Sequence, residues 1–492
     1  MASAMSGIGY YARTAPDTAA IATLGPTMTF ELLDDRQRRL VGVLKRAGVR
    51  RHHRIAVLSA NSINSLEVVT GALRGGIVPV PINPLLTEPE IAYILEDSGA
   101  RWLFTDRAIE HPSPERIVMF GDAYERLLHE AKPARTASVA LGRPMHYTSG
   151  TTGSPKGVWV KPHPEKRAIQ HSERFRRLWS ITSEDIHLVA SPLAHSAPLR
   201  FALRTLEAGG TVVLLGKFDP EETFAAIDLF SITSTFMVPT HLERILGLGW
   251  NKLGKRDMSS LRLLAHAGAP IPEPTKRQAI ELFPHGSLWE FYASTEGQAT
   301  RISTDEWLAK PGSVGRAIPG VEVLIADGTG AELPPGEAGE IWISQPKGER
   351  WSYWGDKRKT RAAWRGDSFS VGDLGKLDDD GYLFIEGRKH DTIITGGVNV
   401  YPREVEAVLA SHPAVAEAMV YGVDDDDWGQ RVCAVVVAKY GHPLDPDRLK
   451  SWARERLAGY KTPRVIEVWD ELPRTPTGKL RRPTGGTGAG WS

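Results

Sequence analysis

Thr148-Ser149-Gly150-Thr151-Thr152-Gly153-Ser154-Pro155-Lys156-Gly157 is the stretch whose reading decides the rest of the chain. It holds hydroxyls, glycines, a proline and a lysine, and no large apolar side chain. Glycines let a backbone curl closely around a ligand and present successive N–H groups to it. Hydroxyls and a lysine add donors that phosphate oxygens accept. The loop is expected to embrace a nucleotide triphosphate. GxxxxGK[ST] cannot be laid on it in any register, so it is not a Walker A loop. A flexible surface turn is a poor account of it, because Val158-Trp159-Val160 follows as a strand and pins its end.

Outward from this loop, apolar runs of strand length alternate with helical patterns. Upstream, Thr29 is placed to cap a helix over residues 29–44. Strands are expected at 55–58, 77–83 and 102–105, with helices ending near Ala72 and spanning 88–97. Downstream, strands are expected at 188–190, 211–215, 234–239, 261–266 and 288–292. A helix is expected near 199–208, and Thr240 is placed to cap the helix after Pro239. This alternation implies βαβ units and a parallel sheet. Ligands gather at the carboxyl ends of parallel strands, which puts the loops after these strands beside the phosphate loop. From Val314 the texture changes to short strands at 321–325, 339–343 and 382–385, a small antiparallel barrel or sandwich. Beyond Arg388 a compact α+β unit follows, with helices at 402–409 and 447–457 and strands at 416–421 and 432–439.

The 492 residues exceed one ordinary core and require at least two domains. A net charge of +1 excludes a general nucleic-acid binder, which would carry a basic surplus. Cys433 is the only cysteine, so no intramolecular disulfide forms and a reducing compartment is expected. Its setting among Arg431-Val432-Cys433-Ala434-Val435 reads as a core thiol in a buried strand. No apolar run is long enough to span a bilayer and no signal peptide opens the chain, so a cytoplasmic location is expected.

The phosphate loop resembles the signature [ST]-S-G-T-T-G-x-P-K-G of the adenylate-forming superfamily of acyl-CoA synthetases, peptide-synthetase adenylation domains and luciferases, and agrees at every fixed position. The resemblance implies that Thr148, Ser149, Gly150, Thr151, Thr152, Gly153 and Lys156 hold ATP. Trp289-Glu290-Phe291-Tyr292-Ala293-Ser294-Thr295-Glu296-Gly297 joins a flat aromatic, suited to stacking on adenine, to a carboxylate suited to Mg²⁺. It is similar to the family's Y-G-x-T-E. That implies a nucleotide site at Tyr292, Ala293 and Ser294, an α-phosphate contact at Thr295, and magnesium at Glu296 with Thr151. Ala293 stands where the family commonly has Gly. Gly268, Ala269 and Pro270 resemble the loop lining adenine and the acyl carboxylate. Pro192-Leu193-Ala194-His195 is similar to P-L-x-H, which implies that His195 borders the reacting carboxylate. Arg200 and Arg204 follow one turn apart; they could recognise a second carboxylate, but a solvated face is expected. The basic run Arg174-Phe175-Arg176-Arg177 is likewise expected to be solvated.

Ser370-Val371-Gly372-Asp373 is similar to T-G-D, whose Asp takes both ribose hydroxyls; a carboxylate suits a vicinal diol. Glu386-Gly387-Arg388-Lys389-His390-Asp391 resembles the hinge signature. It implies that Arg388 reaches the nucleotide and that His390, where the family usually has Asp or Lys, is the hinge. Gly396 and Gly397 would line the tunnel for coenzyme A. Pro473-Arg474-Thr475-Pro476-Thr477-Gly478-Lys479 matches P-[RK]-T-x-x-G-K, which implies a catalytic Lys479 stabilising charge on the α-phosphate.

The resemblance covers most of the chain. The expected fold is α/β: a large amino-terminal domain, residues 1–389, of stacked βα sheets plus a small β-barrel-like part, then a small mobile carboxy-terminal α+β domain, residues 390–492, disordered from about 484. The implied function is ATP- and Mg²⁺-dependent activation of a fatty, aryl or steroid-type acid as an acyl-adenylate, followed by thioester formation with coenzyme A. Another acceptor (a carrier-protein thiol, an amine or other nucleophile) and a non-catalytic nucleotide-binding module are the alternatives. The implied partners are the small acid, ATP and CoA, with no nucleic acid and no membrane span, in a monomer or homodimer. The acyl pocket is expected from Ala197, Pro198, Phe201, Phe236, Val238, Ala267 and Ala293. It holds no acidic residue for an amino-acid ammonium.

Overall fold

The computed structural model describes residues 6–148, 155–345, 349–395, 398–425, 427–474 and 480–483. Its largest sheet has nine strands. Ala19–Ala22, Thr211–Leu214, Ile186–Val189, Ser234–Met237, Leu263–His266 and Leu288–Ala293 run side by side in parallel. The edges correct the expectation of a parallel sheet. Thr27–Thr29 on one side, and Gln298–Ser303 with Arg316–Ala317 on the other, are antiparallel. Thr27–Thr29 and Gln298–Ser303 each follow a neighbouring strand through residues 23–26 and 294–297, links too short for the crossover that a parallel neighbour needs.

Val78–Ile82, Arg54–Leu58, Trp102–Thr105 and Arg116–Met119 form a second, wholly parallel sheet. Every residue of Val78–Ile82 and of Trp102–Thr105 is buried, as the unbroken apolar reading of such strands requires. Between the sheets lie the helices Phe30–Arg46, Ile63–Arg74 and Ser196–Ala208. Their Phe30, Leu40, Leu66, Leu199 and Leu206 share one core with Val212 of the first sheet and Val57 and Phe104 of the second. The stack is therefore sheet, helices, sheet.

Thr29 caps its helix as expected, accepting a hydrogen bond from the Leu32 amide at 3.3 Å. Thr240 does not. Val238 is the cap residue of helix Pro239–Leu246, because Pro239 fits the first helical position, where a missing N–H costs nothing. The short helix Ile8–Thr14 and the edge strand Arg116–Met119 carry too few residues for a periodicity and were not expected.

The strand Lys156–Trp159 pairs antiparallel with His146–Thr148 and with Ser352–Tyr353. This little sheet grips both ends of the stretch that opened the reading. Gly339–Ser344 is the middle of a six-stranded antiparallel sheet around Ile341, Trp364, Phe369 and Leu383, the barrel-like part. A five-stranded sheet then gathers Val398–Val400, Ile393–Thr395, Gly429–Ala438, Val415–Asp425 and Val465–Trp469, with helices Pro402–Ala410 and Pro446–Arg454. Cys433 lies buried in it as a free thiol, and burial pushes its pKa up. Among the described residues no ladder joins strands ending at Arg388 to those beginning at Ile393. On that ground we propose the domain boundary between residues 389 and 390. The tail from residue 484 lies outside the described residues. No described helix is long and apolar enough to cross a membrane.

Helix Glu273–Leu282 buries Lys276, whose ammonium donates to Glu290 and sits 4.6 Å from the Trp307 ring centroid. His266, fully buried, lies 3.9 Å from the same carboxylate and is kept neutral by burial. Lys276→Ala strands the buried Glu290 without its cation, and is expected to cost about 3–5 kcal/mol of stability in a urea titration. A cost below about 1 kcal/mol would mean that the carboxylate finds water.

Candidate functional site

The site forms where the large sheet's strands end. Tyr292 and Ala293 close Leu288–Ala293, and Ser294-Thr295-Glu296-Gly297 turn the chain back, the Ser294 amide donating to the Gly297 carbonyl at 2.8 Å. Gly297 packs closely there: a Cβ would come within 2.3 Å of the Gln345 side chain and 3.0 Å of the Phe369 ring, so both would have to shift. One strand over, Gly268, Ala269 and Pro270 follow Leu263–His266 as an open turn, with Gly268 at φ +95°.

A chain of contacts joins most of the candidate residues. The Tyr292 hydroxyl donates to Asp373 Oδ2 at 2.5 Å, and Arg388 Nε lies 3.1 Å from Asp373 Oδ1. Asp373 and Arg388 face each other across the ladder of Asp373–Leu377 with Leu383–Arg388, which fixes their approach. Burial, then the Asp373 carboxylate, pushes the Tyr292 phenol well above its ordinary value, so it remains a donor. Glu296 is buried, and its Oε1 accepts from the Tyr353 hydroxyl at 2.9 Å. The Lys156 ammonium stands 5.0 Å from the Tyr353 ring centroid, and burial lowers its pKa. Thr148 sits opposite Lys156 in the ladder. Arg143 donates to the carbonyls of Thr295 at 2.6 Å and Glu296 at 3.4 Å, holding the turn from behind.

His195 ends the Pro192 turn as the cap residue of Ser196–Ala208. Its turn is clamped by Asn61, which donates to the carbonyls of Ser191 and Leu215, both at 3.0 Å, and accepts from the Leu193 amide at 2.8 Å. Buried His146, its pKa pushed down to about 3 by desolvation, meets the Ala194 carbonyl at 2.9 Å. His390 is exposed between the last barrel strand and the small domain. Ser149, Gly150, Thr151, Thr152, Gly153, Gly396, Gly397 and Lys479 lie outside the described residues.

Arg143, Tyr353 and Asn61 were missed by the sequence reading. Each works through a partner far along the chain, and no local pattern marks them.

Phe201, Phe236 and Ala267 form one buried cluster with Trp179 and Phe291, against which Ala197, Val238 and Ala293 pack. Pro198 is buried on the same helix. The rings meet closely: Trp179–Phe201 at 5.3 Å, Trp179–Phe291 at 5.4 Å and Phe236–Phe291 at 5.9 Å between centroids. The arginine helix beside it corrects an expectation. Arg204 is not solvated but buried, paired with buried Glu207, and Arg200 is only partly exposed. The helix lies between two sheets, so it has no open face. Of the neighbouring run, Arg177 is exposed and Arg174 pairs with Glu349 at 2.6 Å, but Arg176 has its Nε buried without a partner.

The buried Glu296 carboxylate, joined through Tyr353 to Lys156, fits Mg²⁺, which takes few protein oxygens and keeps several waters. Among the described residues no group of three or more His, Cys, Asp or Glu gathers to cage a metal.

Residues 10–350 match the family model of AMP-binding enzymes, and residues 404–479 that of the AMP-binding enzyme C-terminal domain. The chain is 34% identical to a fatty acid–[acyl-carrier-protein] ligase, ScoC, of Streptomyces coeruleorubidus, over 96% of this chain and 94% of that one. It is 35% identical to a feruloyl-CoA synthase of an Amycolatopsis species, over 95% of each. Its fold superposes on the o-succinylbenzoate CoA synthetase of Bacillus subtilis, solved with an acyl-adenylate intermediate. The TM-score is 0.84, at 30% identity, covering 96% of both chains. That synthetase has also been solved with ATP and magnesium.

Proposed function

The chain belongs to the AMP-binding enzymes of the adenylate-forming superfamily, and from that premise we propose that it is a ligase of aryl acids. The enzyme is an acid–thiol ligase that uses ATP, Mg²⁺ and CoA. The acid carboxylate attacks the α-phosphorus of ATP, forming an acyl-adenylate and releasing pyrophosphate. The CoA thiol then attacks the acyl carbon, forming the thioester and releasing AMP.

The observation that carries the residue roles is the contact chain from Lys156 through Tyr353 to Glu296, and from Tyr292 through Asp373 to Arg388, on one edge of the sheet. Tyr292 offers its ring to adenine, and Asp373, held in place by Arg388, takes the ribose diol. Thr295 and the phosphate loop receive the phosphates, and His195 borders the acid. Magnesium held at Glu296 would neutralise phosphate charge. Lys479 completes the first half-reaction. Rotation about His390 then exchanges it for Gly396 and Gly397, a closure of the kind that lets one small domain serve two steps.

The substrate class rests on the aromatic cluster. Trp179, Phe201, Phe236 and Phe291 pack ring on ring in the cluster expected to receive the acyl group, which favours a flat, short acid over a long chain. The relative acting on an acyl carrier protein makes a carrier thiol the second reading of the acceptor. The need for ATP and CoA, and a lone buried cysteine, favour the cytoplasm.

Pyrophosphate release over aryl, fatty and steroid acids, with CoA or a holo carrier protein, tests this reading. Release greatest with aryl acids and a CoA thioester by mass spectrometry are expected. Preference for long chains, or thioester on the carrier alone, would overturn the substrate or the acceptor. Tyr353→Phe removes the hydroxyl that orients Glu296 and is expected to raise the Mg²⁺ concentration for half-maximal rate by roughly three- to tenfold. An unchanged magnesium dependence would detach Tyr353 from the metal.

A further inference from the structure

Arg200 has no assigned role, and its surroundings leave its charge unanswered. It lies on the helix Ser196–Ala208, five residues past His195, with its guanidinium carbon 6.0 Å from the Phe175 ring centroid. Phe175 packs on the aromatic cluster and meets Phe201 at 5.2 Å. Among the described residues Arg200 makes no hydrogen bond and no ion pair. The carboxylates nearby are spent: Glu207 on Arg204 and on the Ser172 hydroxyl, Glu349 on Arg174. Arg143, a further cation, gives its hydrogen bonds to neutral carbonyls. Burial, then repulsion from Arg143 and Arg204, pushes the Arg200 pKa down to about 9.

A partly dry cation crowded by other cations is costly unless a ligand supplies the missing anion. A guanidinium offers a fork of donors matched to the two oxygens of a carboxylate. The reacting carboxylate belongs at Thr295 and the α-phosphate, so the partner of Arg200 is another group. The phosphates of CoA lie at the far end of its long arm from the thiol, which places them away from the acyl cluster. We propose that Arg200 binds a second carboxylate carried by the aryl acid, and so selects dicarboxylic over neutral aryl substrates. The proposal rests on the ligase reading above and names the substrate class of the same site.

The test compares 4-carboxycinnamate with its neutral isostere 4-carbamoylcinnamate, by kcat/KM for pyrophosphate release. The wild type is expected to favour the diacid by roughly 10- to 100-fold, the range of one charge-assisted pair. Arg200→Gln should collapse that ratio toward one, chiefly through KM for the diacid. Arg200→Lys should keep part of it. Arg177→Ala, on the exposed neighbouring helix, should not move it. A wild type that activates the amide as well as the diacid keeps the ligase and overturns the proposal. Equal losses on both acids in Arg200→Gln would make the residue structural. A loss confined to KM for CoA, and absent with pantetheine, would assign the cation to CoA phosphate and overturn the proposal too.

Discussion

Asp373→Asn is expected to weaken AMP binding by about 10²- to 10⁴-fold, the loss of two hydrogen bonds from ribose hydroxyls to a charged acceptor at about 1.5–3 kcal/mol each. The buried carboxylate answers both Arg388 and the Tyr292 hydroxyl, so the amide also leaves Arg388 without its counter-ion. Isothermal titration with AMP reads the effect directly. Because the lost contacts are to the ribose, adenosine should weaken by a similar factor while pyrophosphate inhibition stays within a few-fold. A change in AMP affinity of less than threefold would remove Asp373 from the nucleotide site.

The second large effect separates the half-reactions. Lys479→Ala is expected to slow acyl-adenylate formation by about 10²- to 10³-fold, the usual loss when a group stabilising transition-state charge is removed. Thioester formation from a synthetic acyl-adenylate and CoA should fall far less, because in the account above that lysine has left the site by then. Single-turnover kinetics of each step measure the split. Equal losses in both steps would contradict a domain that rotates between them.

How much of this could be read from sequence depended on whether the cause was local. The alternation of apolar runs and the cap at Thr29 depend on neighbours a few residues apart, and they stand in the structure. The candidate residues around Tyr292, Glu296, Asp373 and Arg388 lie in short motifs, and the fold brings them together. Tyr353, Arg143 and Asn61 were invisible because their partners are 57, 152 and 130 positions away. The Arg200–Arg204 helix was misjudged for a related reason. Helical spacing reveals a shared face, but only the packing of two sheets around that helix reveals that the face is covered. The antiparallel turns into Thr27–Thr29 and Gln298–Ser303 followed from link length, a weaker signal than the parallel rhythm they interrupt.

The central claim is that the acid's own oxygen forms the bond to the α-phosphorus. An acid labelled with ¹⁸O in its carboxylate, turned over with ATP and CoA, tests it by mass spectrometry of the nucleotide and phosphate products. The account predicts AMP carrying one labelled oxygen, with pyrophosphate unlabelled, because thiol attack breaks the acyl C–O bond and leaves that oxygen on phosphorus. Label in inorganic phosphate with formation of ADP, or unlabelled AMP, would contradict it.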